Sequence, residues 1–375
     1  MTSKNVWSWA IVFFLLIAII TLALWLRVAL PYSQVFARDW VKMTGVDAYY
    51  YMRLVDNLMR HFPQLTQFDP YLLYPGGTLT GIQPDFFAYF MGGIVWLFTL
   101  GNASQHAVDV ISVYIPPALA VITVLAAFFI GMLLGGRWPG LLSAGLLAVM
   151  PGEFLNRSLL GYTDHHIAEV MFSTCSMLFA FLALRAGYAK SLREIAQAGW
   201  NGIGKMLTFS ILAGIFMGLY MLTWAGALLF ALVIFVFIVV QAVIDHLRGR
   251  PTGYLGLLGV CIFGVGLAMY LPWVKNTMVV VALVAALLVS VLLPLLSVWM
   301  NSRGLRPMYY PIALTALAAL GAVGLAVISP SVFRQMAGAL ANMFIWPLGT
   351  TVMEMQPLLI QQGNFTFAVA LGNYM

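Results

Sequence analysis

Hydrophobic positions along this chain come in long blocks rather than in alternation. Apolar runs able to cross a bilayer, which takes about 17–25 residues, fall near 7–30, 107–134, 138–155, 166–187, 206–222, 224–244, 253–273, 276–299, 311–329 and from about 365 onward. The pattern predicts an all-α polytopic membrane protein with about 10 transmembrane helices. Residues 86–100, FFAYFMGGIVWLFTL, are too short for a span and read as a half-inserted helix on the outer side. Two outer connections are long, about 31–106 and about 330–364, and long connections in compact proteins are usually functional. The first contains GVDAYYYMRLVDNLMRHFP, where Val46, Tyr50, Leu54, Leu58 and Met59 form an apolar stripe at helical spacing that ends before Pro63. That stretch predicts an amphipathic helix lying along the membrane surface, with Asp47 in its first turn.

Composition sharpens the class. The 375 residues are 62% hydrophobic and only 8% charged, with mean hydropathy +0.96, against about 45–50% apolar and about 25% charged in soluble domains. A formal charge of +6 and a pI near 9.3 raise the question of nucleic acid. The placement of Lys and Arg answers it, and no nucleic-acid partner is expected. With 86–100 left out of the count, alternate connectors hold Arg137, then Arg185, Lys190, Arg193 and Lys205, then Arg248 and Arg250, then Arg303 and Arg306. The short connectors between them hold only Arg157 and Lys275. By the positive-inside rule the first set is cytoplasmic. The amino terminus is then cytoplasmic as well, and residues 7–30 read as a signal anchor, too long for a cleaved leader. The expected location is a cell (plasma or inner) membrane, with the polar outer loops on its extracytoplasmic face. Cys175 and Cys261 both lie in apolar segments and are not expected to ligate metal.

Against this background one stretch stands out. NRSLLGYTDHHIAE, residues 156–169, carries Arg157, Asp164, His165, His166 and Glu169 between two apolar segments. Charge at the centre of a membrane helix costs about 2.5–3.5 kcal/mol per residue on insertion scales, so such a cluster belongs at a membrane face or beside a wet cavity. The charge pattern puts it on the same face as Asp47 and as Glu354, the acid of TTVMEMQP in the late outer connection. Three carboxylates and an imidazole, namely Asp47, Asp164, Glu354 and His166, suit a hard or borderline divalent cation such as Mn²⁺ or Mg²⁺. At the level of the lipid headgroups such an ion would neutralise a phosphate leaving group.

Three motifs in order, GVDAYYYMR, NRSLLGYTDHH and TVMEMQP, make the chain resemble the catalytic subunit of the oligosaccharyltransferases, with the DHH form of the archaeal type. The resemblance covers essentially the whole chain. It implies a C-type glycosyltransferase membrane fold. It also implies transfer of a preassembled oligosaccharide from a polyprenyl phosphate or diphosphate carrier to asparagine in Asn-x-Ser/Thr of an acceptor polypeptide. By motif, Asp47, Asp164 and His166 would be metal ligands and Glu354 would complete the site. Asp47, Asp164 and Glu354 would be catalytic, with Asp47 and Glu354 holding the acceptor carboxamide. Arg157 and His165 would face the substrate, with His165 also open to a structural role. Members of the family usually continue into a soluble outer domain with a Trp-Trp-Asp-Tyr-Gly motif that reads the acceptor. No such motif occurs in these residues, so residues 1–375 are read as the transmembrane catalytic domain alone.

Two other readings compete. Another C-type glycosyltransferase, such as a protein O-mannosyltransferase or a lipid or cell-wall sugar transferase, shares acids in the first outer loop but not the late TVMEMQP motif. A cation-coupled transporter would place ionisable groups inside its helices near the bilayer midplane, and residues 206–329 offer almost none away from segment ends.

Overall fold

The computed structural model describes residues 3–38, 40–79, 86–224, 226–273, 276–341, 360–361 and 364–367. The chain opens with α1 (Ser3–Leu24), loosens into a π-turn at Trp25–Ala29, and turns through α2 (Tyr32–Val35). The first long connection holds α3 (Val46–Arg60) and α4 (Phe86–Thr99). Then come α5 (Gln105–Gly135), α6 (Arg137–Val149), the single turn α7 (Glu153–Asn156) and α8 (His166–Gly187). The second half runs through α9 (Leu192–Gln197), α10 (Trp200–Thr223), α11 (Ala227–Leu247), α12 (Gly253–Tyr270), α13 (Thr277–Ser302), α14 (Tyr309–Ile328) and α15 (Pro330–Ala341). Three two-residue β-ladders are the only strands among the described residues.

Eight of the described helical segments are long and apolar enough to cross a membrane: Trp7–Val35, α5, α8, α10, α11, α12, α13 and α14. The protein is an integral membrane protein of the all-α class. The expected span at 138–155 divides instead. α6 has 13 residues, about 20 Å at 1.5 Å per residue, against a hydrocarbon core of about 30 Å. Pro151 brings no N–H, and Gly152 stands at φ +110°, so the helix stops at Val149 and restarts as α7. The expected span from about 365 falls almost wholly outside the described residues. α4 has the expected short length of 14 residues.

α3 forms where its pattern predicts, but its buried face differs. Ala48, Met52, Leu54, Val55 and Leu58 are buried, while Val46 is 88% exposed. The reason is α4, which lies over α3 so closely that a Cβ at Gly92 would come within 2.6 Å of Leu58 Cδ2. The helix packs on protein along that stripe. Asp69, which reads in sequence as a solvated loop acid, is also buried. It accepts from Arg53 Nη2 at 2.5 Å and from Tyr71 N at 2.9 Å, closing the loop after α3.

The bundle is held by close helix contacts at small residues, the usual device where lipid tails leave no hydrophobic drive between helices. α8 packs on α10, α10 on α12, and α12 on α13. A Cβ at Gly214 would sit 2.6 Å from the Cys261 carbonyl oxygen, whereas at Gly93 of α4 it would meet nothing within 4 Å. Gly214→Ala is therefore expected to destabilise by about 1–3 kcal/mol, read as a lower melting temperature in detergent. Gly93→Ala should hold or raise that temperature, because alanine favours helix by about 1 kcal/mol.

Candidate metal and transfer site

The acidic turn is built from behind by a buried arginine. Arg27, 0% exposed in the π-turn after α1, donates from Nε to Ser158 Oγ at 2.8 Å. Its Nη1 donates to the carbonyls of Ala148 at 2.9 Å and Ala23 at 3.2 Å, and its guanidinium lies 5.2 Å from the Phe154 ring centre. The main chain repeats the clamp, for Leu160 N donates to Arg27 O at 2.8 Å and Gly161 N to Val113 O at 3.2 Å. The run from Ser158 to Gly161 is thus tied to the π-turn and to α5, and through Arg27 to the end of α6, before the site residues begin.

The first long connection docks on the other side of the same run. Thr44 N donates to Gly161 O at 2.9 Å, Thr44 Oγ1 to Leu160 O at 3.2 Å, and Thr163 Oγ1 to Ala48 O at 3.3 Å. Two glycines permit the approach. Gly45 has φ +100° and a Cβ there would meet the Tyr162 ring at 2.9 Å, while Gly161 has φ +83° and its Cβ would lie 3.2 Å from Lys42 O. Side chains other than glycine rarely adopt such φ values. Asp47 follows in the first turn of α3 with its side chain exposed. Tyr51, one helical turn on, places its ring 5.4 Å from that of His165.

At the turn itself the groups interlock. Asp164, 0% exposed, accepts on Oδ1 from His165 N at 2.6 Å and faces His165 Nδ1 at 2.6 Å. His165 Nε2 lies 2.9 Å from Glu169 Oε1, and His166 Nδ1 lies 3.1 Å from the same oxygen. Both nitrogens of His165 are therefore taken by carboxylates. Burial alone would lower its pKa, but the hydrogen bonds and charges of Asp164 and Glu169 raise it to about 9. Burial pushes Asp164 upward, and the bond and charge of His165 with the charge of His166 outweigh it, so its carboxyl stays below its ordinary value. Asp164 Oδ2 is buried without a hydrogen bond, and His166 Nε2 stands 3.4 Å from it.

That pair fits a divalent ion. Ligand atoms each about 2.1 Å from one centre lie about 3.0–3.4 Å apart at octahedral to tetrahedral angles. One ligand atom from each of Asp164, His165 and His166 lies within 4.8 Å of the others. The geometry brings Asp164 and His166 together with facing atoms, in a group of ligand atoms that includes His165 and not Asp47; Asp47 stands next to Ala48, whose carbonyl accepts from Thr163. Glu354 lies outside the described residues. Arg157 pairs with Glu153 through Nε. Tyr162 joins these charges: burial raises its hydroxyl pKa, Arg157 lowers it, and Asp164, Glu153 and Asp47 raise it.

Sequence reasoning missed two residues. Glu169 follows His166 by three and His165 by four, which on a helix is one face, and that spacing was readable. Arg27 was readable too, as the one cation within the apolar block 7–30, where an ionisable group is functional by default.

The family model of oligosaccharyl transferase STT3, N-terminal, matches residues 11–357. The dolichyl-monophosphooligosaccharide–protein glycotransferase AglB of Haloferax volcanii is 28% identical over 368 residues, 94% of this chain and 35% of that protein. The archaeal oligosaccharyltransferase AglB of Archaeoglobus fulgidus, solved with an inhibitory peptide and a dolichol-phosphate, superposes with TM-score 0.82 at 23% identity, over 100% of this chain and 43% of that one. The Archaeoglobus fulgidus oligosaccharyltransferase solved with Zn and sulfate gives TM-score 0.72 at 24% identity, over 88% and 43%. The chain spans less than half the length of these relatives. With the match running from α1 to Pro357, the chain belongs to the STT3 family of oligosaccharyl transferases and corresponds to its amino-terminal membrane part.

Proposed function

We propose that this chain is the membrane part of a metal-dependent oligosaccharyltransferase that moves a preassembled glycan from a polyprenyl phosphate or diphosphate to the side-chain amide of Asn in Asn-x-Ser/Thr. The observation that carries the reading is the facing pair Asp164 Oδ2, which makes no hydrogen bond, and His166 Nε2, with Thr163 beside them bonded to Ala48 at the start of α3, where Asp47 stands. Asp47, Asp164, His166 and Glu354 would hold Mn²⁺ or Mg²⁺, a set of oxygen and imidazole donors suited to both. The relative solved with Zn and sulfate supports a divalent ion in this fold. The charge asymmetry of the connectors supports an extracytoplasmic site. The acceptor-reading domain implied by the motifs would lie outside residues 1–375.

The chemistry explains the need for acids. Amide nitrogen is a poor nucleophile because its lone pair is delocalised, the resonance that gives peptide bonds a barrier of about 18–20 kcal/mol. Asp47 and Glu354, accepting both N–H bonds of the acceptor carboxamide, weaken that conjugation and hold the nitrogen toward the anomeric carbon. The new C–N bond forms as the sugar C–O bond breaks. The carrier phosphate leaves with the electron pair, and a carboxylate takes the proton from nitrogen. A divalent ion supplies Lewis-acid neutralisation of charge gathering on that phosphate. Arg157 adds positive charge on the same side. His165, with both nitrogens on carboxylates, acts on the donor by charge rather than by a hydrogen bond.

Membranes carrying the full-length protein, given a lipid-linked glycan and an Asn-x-Thr peptide, should yield glycopeptide only with Mn²⁺ or Mg²⁺; product formed undiminished in a chelator contradicts the reading. Asp47→Asn and Glu354→Gln should each cut kcat by about 10²–10³ or more, the scale of losing one transition-state contact, with the melting temperature unchanged. Near-normal turnover by either variant would overturn the role given to that acid.

A further inference from the structure

Glu169 takes part in no step described so far, yet it is a buried carboxylate at the start of a membrane helix. It lies in the first turn of α8, a membrane-spanning helix, and is only 8% exposed. A buried carboxylate must be matched by opposite charge or donors, and the groups facing it here are the two neighbouring imidazoles. Its Oε1 is 2.9 Å from His165 Nε2 and 3.1 Å from His166 Nδ1. The rings lie 4.3 Å apart, tilted by 30°, so one oxygen serves both.

The contact with His166 has a chemical consequence. A carboxylate can only accept, so its approach at 3.1 Å favours the His166 proton on Nδ1. In a neutral imidazole the lone pair is then on Nε2, the nitrogen that faces Asp164 Oδ2 at 3.4 Å. Without the acid, His166 could place its proton on either nitrogen and turn about its side-chain bonds, and His165 would keep only Asp164.

We propose that Glu169 is a positioning residue that fixes the tautomer and ring orientation of His166, so that Nε2 is the nitrogen offered to the metal ion, while Asp164 Oδ2 is left free because His165 occupies Oδ1. This rests on the metal-dependent reading given above. Carboxylates behind a ligating histidine typically change metal affinity by about 10–100-fold, and the dyad of spacings three and four along α8 delivers one without any other element.

The test is Mn²⁺ binding to the purified full-length protein, followed by the electron paramagnetic resonance signal of free Mn²⁺. Glu169→Ala should weaken binding about 10–100-fold. Glu169→Gln, which keeps the shape and one acceptor oxygen, should fall between Ala and wild type, with a metal-free melting temperature close to wild type. KM for the acceptor peptide should not change at saturating Mn²⁺. Unaltered Mn²⁺ affinity in both variants overturns the inference and leaves the metal reading standing, as does a lowered melting temperature with unaltered affinity, which marks a packing role. Wild-type protein that neither binds Mn²⁺ nor needs a divalent ion for transfer overturns the metal reading itself.

Discussion

A single buried guanidinium holds the acidic turn in its place. Arg27 is flat, always charged and able to donate along several directions, and its partners sit on the turn before the site, at the end of α6 and within its own helix. Among the described residues its hydrogen bonds go to a hydroxyl and to main-chain carbonyls, not to a carboxylate. The last carbonyls of a helix carry partial negative charge, and Ala148 lies one residue before the end of α6. Hydrogen bonds to a charged group contribute about 1.5–3 kcal/mol each. A lysine would supply the charge but not the fork. The π-turn at Trp25–Ala29 ends α1 at the position where Arg27 takes up its partners, and π-geometry frequently marks such sites.

From that anchor the site is assembled by short spacings. Ser158 and Leu160 are held by Arg27 of the π-turn, Gly161 by α5, and Gly161 O with Leu160 O receives the first long connection. Three residues later Asp164 splits its two oxygens between His165 and the open position. α8 then starts at His166, so that its first turn faces the same acid with one ring and reaches Glu169 with the other side of that ring. Each group constrains the next, and the two glycines at 45 and 161 let two loops share a surface that a Cβ would separate.

Much of this was legible in the sequence, for physical reasons that can be named. Membrane helices announce themselves because lipid demands long apolar runs, and the DHH turn announces itself because charge is rare in such a chain. The face of α3 was not legible: Val46 and Tyr50 fit an apolar stripe, but α4 fixed the buried side at Met52 and Val55. Periodicity gives the stripe's existence and not its partner. Asp69 looked like loop surface because its partner Arg53 is sixteen residues away. The break at Pro151–Gly152 carried a turn signal that a hydropathy block conceals. Glu169 and Arg27 were visible as charges, but their roles depend on contacts that spacing alone leaves open.

The central claim is that acids from separate loops meet at one ion. Crystals of the full-length protein grown with Mn²⁺ and measured at the manganese absorption edge would test it most directly. The account predicts one anomalous peak bonded to Asp164 Oδ2 and His166 Nε2, with the Asp47 carboxylate reaching the same ion. A peak bound elsewhere, or one at Asp164 with Asp47 turned away from it, would contradict the account.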